Sequence, residues 1–323
     1  MEIKLVKSRQ FVIKPTAPYN FDATLFKPSH YPDPLKVYEP GKYWFAMRFE
    51  DKIFGVKLVN CGSIDDPKVN LKLFYKERLS SQKLKSLLDE LKFRCEFDVD
   101  LSEFYDKFAN DRVLSPFLRR WRGMHESHTL DLYGLLMICI FLQNTVIRRT
   151  VQMTRAMLEK YGTLVKFDGR EVFVFWTPEQ LAKVSEEELR KLKVGYRAKL
   201  FIKSSRSWIA ERINEFELRK LQTNEARKRL LRIYGVGPET ARILLTEGLG
   251  KYDIFDHVAP WQQKILSRLL FNKPLVPASK IIEYANKRWD KWVALAVHYI
   301  WEDIFWRHAR GEKIEWLDKE IRL

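Results

Sequence analysis

Two glycines and a proline in the run Leu231-Arg-Ile-Tyr-Gly-Val-Gly-Pro-Glu-Thr-Ala-Arg-Ile-Leu-Leu245 constrain this chain more than any other stretch. Gly235 ends one helical pattern. Val236 is a single apolar plug between glycines, and Pro238 opens the next helix at a position where its missing N–H costs nothing. Glycine at 235 and 237 permits a tight turn and the close approach of another backbone. The small Ala241 lets the second helix lie against the first. The pattern predicts a helix-hairpin-helix over residues 224–246, with backbone N–H groups at the start of the second helix facing outward, where a phosphate is favoured. Such an element grips a nucleic-acid backbone without reading base sequence, here through Gly235, Val236, Gly237 and Thr240. An ordinary corner between packed helices can also carry a bare GxG; the plug, the proline and the alanine together favour the backbone grip.

The charge balance agrees. The 323 residues carry a formal net charge of +16 and a pI near 9.6, which favours a polyanionic partner. Hydrophobic residues at 46% and charged residues at 31% fit a folded globular chain. Cys61, Cys95 and Cys139 are far apart and form no CxxC pair, which argues against zinc or iron–sulfur ligation and fits a reducing, intracellular setting (cytoplasm and nucleoid, or a nucleus). MEIKLVKSRQF lacks the apolar run of a signal peptide, and the longest apolar stretch, Leu132–Leu142, is too short to span a bilayer. The expected partner is double-stranded DNA and not a membrane, bound by a monomer.

The first 80 residues or so alternate as strands do: Lys42–Phe49, a turn at Glu50–Lys52, Ile53–Val59, then Val69–Tyr75. From Ser81 the period becomes helical. Leu130–Leu142, apolar nearly all round, predicts a central core helix, with Val146–Tyr161 following after a break at Gln143–Thr145. Capping signals at Thr177-Pro178 and Ser185 start short helices; Ala198–Asn214 reads as a long one, and Thr223 as the cap of Glu225–Ile233. Pro260–Leu270, Ala278–Asn286 and a long helix through Trp289–Arg310 complete an α+β chain: a small N-terminal antiparallel β-sheet domain at residues 1–98 and a mainly helical, two-subdomain core at 99–323.

The hairpin, the Gly-rich loop Glu247–Phe255 and Asp256 beyond it resemble the helix-hairpin-helix (HhH-GPD) DNA glycosylase superfamily. Leu136–Met153 is similar to that family's helix and strand-penetrating loop, and Lys191–Ala198 (KLKVGYRA) to its LGYRA segment. Phe21–Leu25 with the N-terminal sheet, and Arg288–Trp301, resemble the 8-oxoguanine and AlkA-type alkylpurine branch. The resemblance implies a catalytic role for Asp256. Cleavage of an N-glycosidic bond builds positive charge on the sugar, which a fixed carboxylate stabilises while it orients or deprotonates water. Asp256 also reads as the N-cap of a helix beginning at His257.

Family members that also cleave the strand carry a lysine where this chain has Glu239. A carboxylate cannot form an imine, so the expected reaction is base removal without strand cleavage; an acid in a first helical turn also simply opposes the macrodipole. Lys251, Lys264 and Lys199 are the alternative amines. The resemblance further implies that Asn144, the residue after Gln143, fills the gap left by a flipped base, together with Thr145; Gln143 is expected to contact DNA beside them, and the basic Arg148 to hold a phosphate. It places Trp292, and with less support Trp289, Trp261 and Tyr196, around the base. His257 and His298 could serve as ligands or bases, although a lone histidine is more often structural; no side-chain metal set is spaced for ligation, and no cofactor is expected. A sodium or potassium ion on the hairpin carbonyls of Ile233 and Val236 is implied by resemblance alone. The leading expectation is a monofunctional glycosylase for alkylated or deaminated purines; the alternatives are an 8-oxoguanine DNA glycosylase and a non-catalytic damage-binding module.

If Arg148, Arg149, Arg197, Lys199, Arg242 and Lys264 all close on phosphates, the log–log salt dependence of duplex binding should have a slope of about −5. Anisotropy titrations between about 50 and 200 mM salt measure it.

Overall fold

The computed structural model describes residues 1–28, 34–313 and 315–318. Its strands are β1 (Glu2–Lys4), β2 (Lys7–Ile13), β3 (Lys36–Glu39), β4 (Lys42–Phe49), β5 (Lys52–Asn60), β6 (Val69–Tyr75), β7 (Thr163–Phe167) and β8 (Arg170–Val174). The five-stranded sheet runs β2-β6-β5-β4-β3, antiparallel throughout. One face buries Phe45, Phe54, Leu58, Leu71 and Leu73 beneath Leu87 and Leu91 of helix α2, described below. The other face is also covered. Trp44 and Phe74 pack against Val165, Phe167 and Val172 of a second sheet, in which β1 pairs parallel with β7 and β7 forms a hairpin with β8. Gly55 shows how closely the two approach: a Cβ there would lie 2.7 Å from the Phe167 ring.

This second sheet lies outside the sequence expectation, which placed no strand beyond Tyr75. Its signal is present. Asp168-Gly169 separates two alternating runs, and both residues have positive φ, as a tight two-residue hairpin requires.

The helices are α1 (Phe21–Leu25), α2 (Ser81–Arg94), α3 (Ser102–Phe108), α4 (Ser115–Arg120), α5 (Leu132–Leu142), α6 (Ile147–Tyr161), α7 (Pro178–Ala182), α8 (Glu186–Lys191), α9 (Arg197–Ala210), α10 (Glu215–Lys220), α11 (Thr223–Leu230), α12 (Pro238–Ile243), α13 (Pro260–Phe271), α14 (Ala278–Trp289) and α15 (Val293–Ala309). They enclose two apolar cores. One gathers α5, α6, α9, α11 and α12 around Leu136, Phe141, Phe201 and Leu244. The other gathers α3, α4, α13, α14 and α15 around Phe104, Ile265, Trp289 and Tyr299.

Several boundaries differ from the sequence reading for local reasons. The long helix expected to reach Asn214 ends at Ala210, and Asn214 instead caps α10 by accepting from Glu217 N. Thr223 is not a cap; it lies inside α11 and its hydroxyl donates to Asp253 Oδ1. The helix expected through Trp289–Arg310 breaks at Asp290, whose φ of 48° no right-handed helix holds, and resumes at Val293.

A buried ionic cluster joins these parts. His128 Nδ1 lies 2.8 Å from the Glu247 carbonyl and Nε2 lies 3.0 Å from Glu96 Oε1. Both partners only accept, so both nitrogens carry hydrogen and the ring is an imidazolium. Burial opposes that charge, but the Glu96 hydrogen bond and charge, with Glu126 nearby, outweigh it and raise the His128 pKa. Burial likewise opposes the Glu96 charge, and His125 and His128 outweigh it, holding Glu96 well below the usual carboxylate range. The His128 contribution to stability is therefore complete below about pH 6.5 and lost as pH rises through its raised folded value. The Glu96 contribution is complete above about pH 4.3 and lost as pH falls through its depressed folded value. Melting temperature should peak between these limits, and His128→Gln should lower that maximum and flatten the alkaline decline.

Candidate active site

The hairpin forms as its glycines dictate. Gly235 has φ +83°, a region costly for other residues, and Val236, only 7% exposed, plugs the turn with its N–H bonded to Ile233 O at 3.1 Å. Helix α9 braces the loop: Ser204 Oγ donates to Tyr234 O at 2.7 Å, and Ser207 Oγ accepts from Tyr234 N at 3.0 Å. Gly237 faces open space, and Pro238 starts α12. Ala241 is fully buried, as the close helix contact requires. The Ile233 carbonyl is thus already used once within the turn, and among the described residues no group of three or more His, Cys, Asp or Glu could hold a metal ion.

Beyond a π-type turn at Leu244–Gly248 the chain reaches Asp256. Its role as a helix cap is not observed. Helix α13 starts at Pro260, and the Ala259 N–H is capped by the Gln262 side chain at 3.2 Å. Asp256 instead lies in a segment without regular secondary structure, its side chain about one-third exposed, and pairs with Arg227 of α11 at 2.8 Å. The hairpin's first helix thus holds the carboxylate beyond its second.

Between the two helical cores lies a cavity of about 300 Å³. Helix α5 contributes Leu135, Ile138, Cys139 and Leu142 to its wall. Glu239, Arg242 and Ile243 come from α12, and Trp261 and Gln262 from α13. His298, Trp301, Glu302 and Phe305 come from α15. Glu239 and Arg242 clasp each other through two hydrogen bonds, of 2.8 and 3.1 Å. Trp261 and Trp301 stand 5.3 Å apart, so the wall is aromatic on one side.

The expected aromatic set is only partly gathered here. Trp261 lines the cavity. Trp289 is completely buried in the second core, and Trp292 packs there against Phe104, so neither reaches it. Tyr196 lies elsewhere, its hydroxyl donating to Gln143 O at 3.3 Å. That contact and the Arg197 guanidinium brace the Gln143–Thr145 turn, where Asn144 is exposed with φ +44°. Leu142 and Val146 flank the turn and are exposed, as is Arg148. Of the lysines considered, Lys251 donates to the carbonyls of Arg219 and Leu221, and neither Lys199 nor Lys264 lines the cavity. The lysine that does is Lys36 of β3, which sequence reasoning missed together with Glu126, Trp301 and Glu302. His298, by sequence a candidate ligand or base, also lines it; nothing local in the sequence places any of these five there.

Comparisons with known proteins agree with this geometry. Residues 137–291 match the family described as HhH-GPD superfamily base excision DNA repair protein. The DNA-3-methyladenine glycosylase of Bacillus subtilis is 24% identical over 213 residues, covering 65% of this chain and 69% of that one. The 3-methyladenine DNA glycosylase of Archaeoglobus fulgidus superposes with a TM-score of 0.76 at 19% identity, over 94% of this chain and 100% of the other. The 8-oxoguanine glycosylase/lyase of Clostridium acetobutylicum, solved with double-stranded DNA, superposes with a TM-score of 0.70 at 17% identity, over 96% and 100%. The chain therefore carries an HhH-GPD superfamily domain on an α+β scaffold shared with these enzymes. No helix among the described residues is long and apolar enough to cross a membrane.

Gly235→Ala should cost about 1–2 kcal/mol through its positive φ, with a lowered melting temperature and weakened duplex binding. Gly237→Ala, in open space with ordinary φ, should leave the melting temperature unchanged and weaken only binding.

Proposed function

We propose that this protein is a monofunctional DNA glycosylase that flips a damaged purine, alkylated or deaminated, out of duplex DNA and hydrolyses its N-glycosidic bond. The observation that carries this reading is the juxtaposition at the second hairpin helix. Asp256 stands just beyond the phosphate-gripping turn, and the cavity wall presents Glu239, clasped by Arg242, where an imine-forming enzyme needs an amine. The base enters the cavity, with Trp261 and Trp301 offering aromatic surface. Asn144, with Thr145, fills the vacated stack, Gln143 contacts the duplex beside them, and Arg148 and the hairpin hold backbone phosphates. The C1′–N bond breaks with its electron pair leaving on the base. Asp256 stabilises the developing sugar cation and orients water, whose oxygen bonds to C1′ as its proton is released. The product is an abasic site on an intact strand. The protein acts as a monomer inside the cell and draws on no cofactor for this step.

A second reading, an 8-oxoguanine glycosylase, has the shared scaffold in its favour, since an enzyme of that description superposes over nearly the whole chain.

Duplexes carrying 3-methyladenine, 7-methylguanine, hypoxanthine, 8-oxoguanine or uracil, incubated with enzyme and then alkali, test the proposal. Wild type should yield alkali-dependent breaks that Asp256→Asn reduces at least 100-fold; identical intact strands for both proteins on every lesion would leave only a damage-binding module. Breaks without alkali, with a borohydride-trapped adduct lost in Lys36→Gln, would overturn the monofunctional assignment.

A further inference from the structure

The protein is strongly basic, yet this cavity is not. Glu126, Glu239, Glu247 and Glu302 line it against Lys36 and Arg242, and Arg242 is held by Glu239. The deepest part of the arrangement is a buried relay. His298, 12% exposed, places Nδ1 2.9 Å from Glu126 Oε2 and Nε2 3.1 Å from Lys27 Nζ. Lys27, behind the wall, also donates to the carbonyls of Ala23 at 3.1 Å and His125 at 2.9 Å.

Two proton placements satisfy every one of these contacts. A charged ammonium donates three times, to two carbonyls and to Nε2. A neutral amine donates twice and accepts from an Nε2–H of imidazolium. In both, Nδ1 carries hydrogen and Glu126 is the acceptor. The relay therefore keeps one proton behind the carboxylate, and its geometry is fixed whichever nitrogen holds it. Burial opposes the Glu126 charge, but the charge and hydrogen bond of His298, with Lys27 beyond, outweigh it and hold the carboxyl down at about 2. Both imidazole nitrogens are occupied, so the ring turns no lone pair toward a guest.

We propose that Glu126, fixed by His298 and Lys27, is a specificity-determining residue that favours a flipped base carrying positive charge and N–H donors over a neutral oxopurine. The proposal rests on the reading that the cavity receives the base. A carboxylate accepts hydrogen bonds and attracts a cation, whereas an exocyclic oxygen set against it brings lone pair to lone pair. Trp261 and Trp301 act in the same sense, since aromatic faces attract cations.

The test separates base recognition from catalysis. Tryptophan fluorescence follows titration with three probes: 3,9-dimethyladenine, a permanent cation with an amino group; 9-methyladenine, neutral with the same amino group; and 9-methylhypoxanthine, neutral with an oxygen there. Wild type should bind them in that order of decreasing affinity. Glu126→Gln, nearly isosteric, should reduce the ratio of the first to the third about tenfold, and Glu302→Gln serves as the second variant if the first melts early. Equal affinities, tightest binding of 9-methylhypoxanthine, no binding of any probe, or a ratio unmoved in both folded variants would overturn the proposal. If wild type excises a lesion in spite of that result, the glycosylase reading survives; if the ratio behaves as expected and no lesion is excised, the glycosylase reading fails alone.

Discussion

Glu96 is the residue on which the arrangement turns. It follows α2 with φ +52° and is buried. It accepts from His128 and from the Tyr252 hydroxyl, and His125 stands 3.4 Å away. The sheet domain, the segment before α5 and the loop leading to Asp256 therefore meet on one carboxylate. An unpaired charge at such depth would be strongly destabilising, so each partner is required by the others. Arg94, two residues earlier, makes a parallel set of buried bonds to Glu90 and Glu215 and ties α2 to α10.

This ionic seam explains where the cavity lies. The two helical cores are apolar and close on themselves, and the space between them is bounded by the groups that neither core can absorb: Glu126, His298, Glu302 and the Glu239–Arg242 clasp. Polar groups concentrated at a junction between cores can recognise a guest without disturbing the packing of either one. Glu239, Arg242 and Ile243 of the second hairpin helix line this junction, and Arg227 of the first hairpin helix pairs with Asp256, which is not among the lining residues.

What could be read from residue order alone was what local chemistry decides. Gly235, Val236, Gly237 and Pro238 punctuate the chain so strongly that the hairpin follows from them, and the apolar run at Leu132–Leu142 announces a buried helix. The cap assigned to Asp256 was displaced because Pro260 and Gln262 supply a better start one turn later. Trp289 and Trp292 could not be told from Trp261 and Trp301 by sequence: all four are tryptophans on helical stretches, and which side of a helix meets a core is a tertiary fact. The relay is the extreme case, since Lys27 and His298 are 271 residues apart. The β7–β8 hairpin was legible in Asp168-Gly169, though its parallel partner β1 was not, because no local signal links strands so distant in the chain.

That parallel pairing bears on the order in which the chain can acquire its structure. Glu2, Ile3 and Lys4 find their register on Leu164, Val165 and Lys166, so they cannot be placed until a segment about 160 residues further along the chain has been made. Until the β7–β8 hairpin emerges, the outer face of the five-stranded sheet, with Trp44 and Phe74, has nothing to cover it. The sheet domain is thus a partner that waits for the helical one, and a nascent chain halted before residue 174 presents an adhesive aromatic surface to whatever else is nearby.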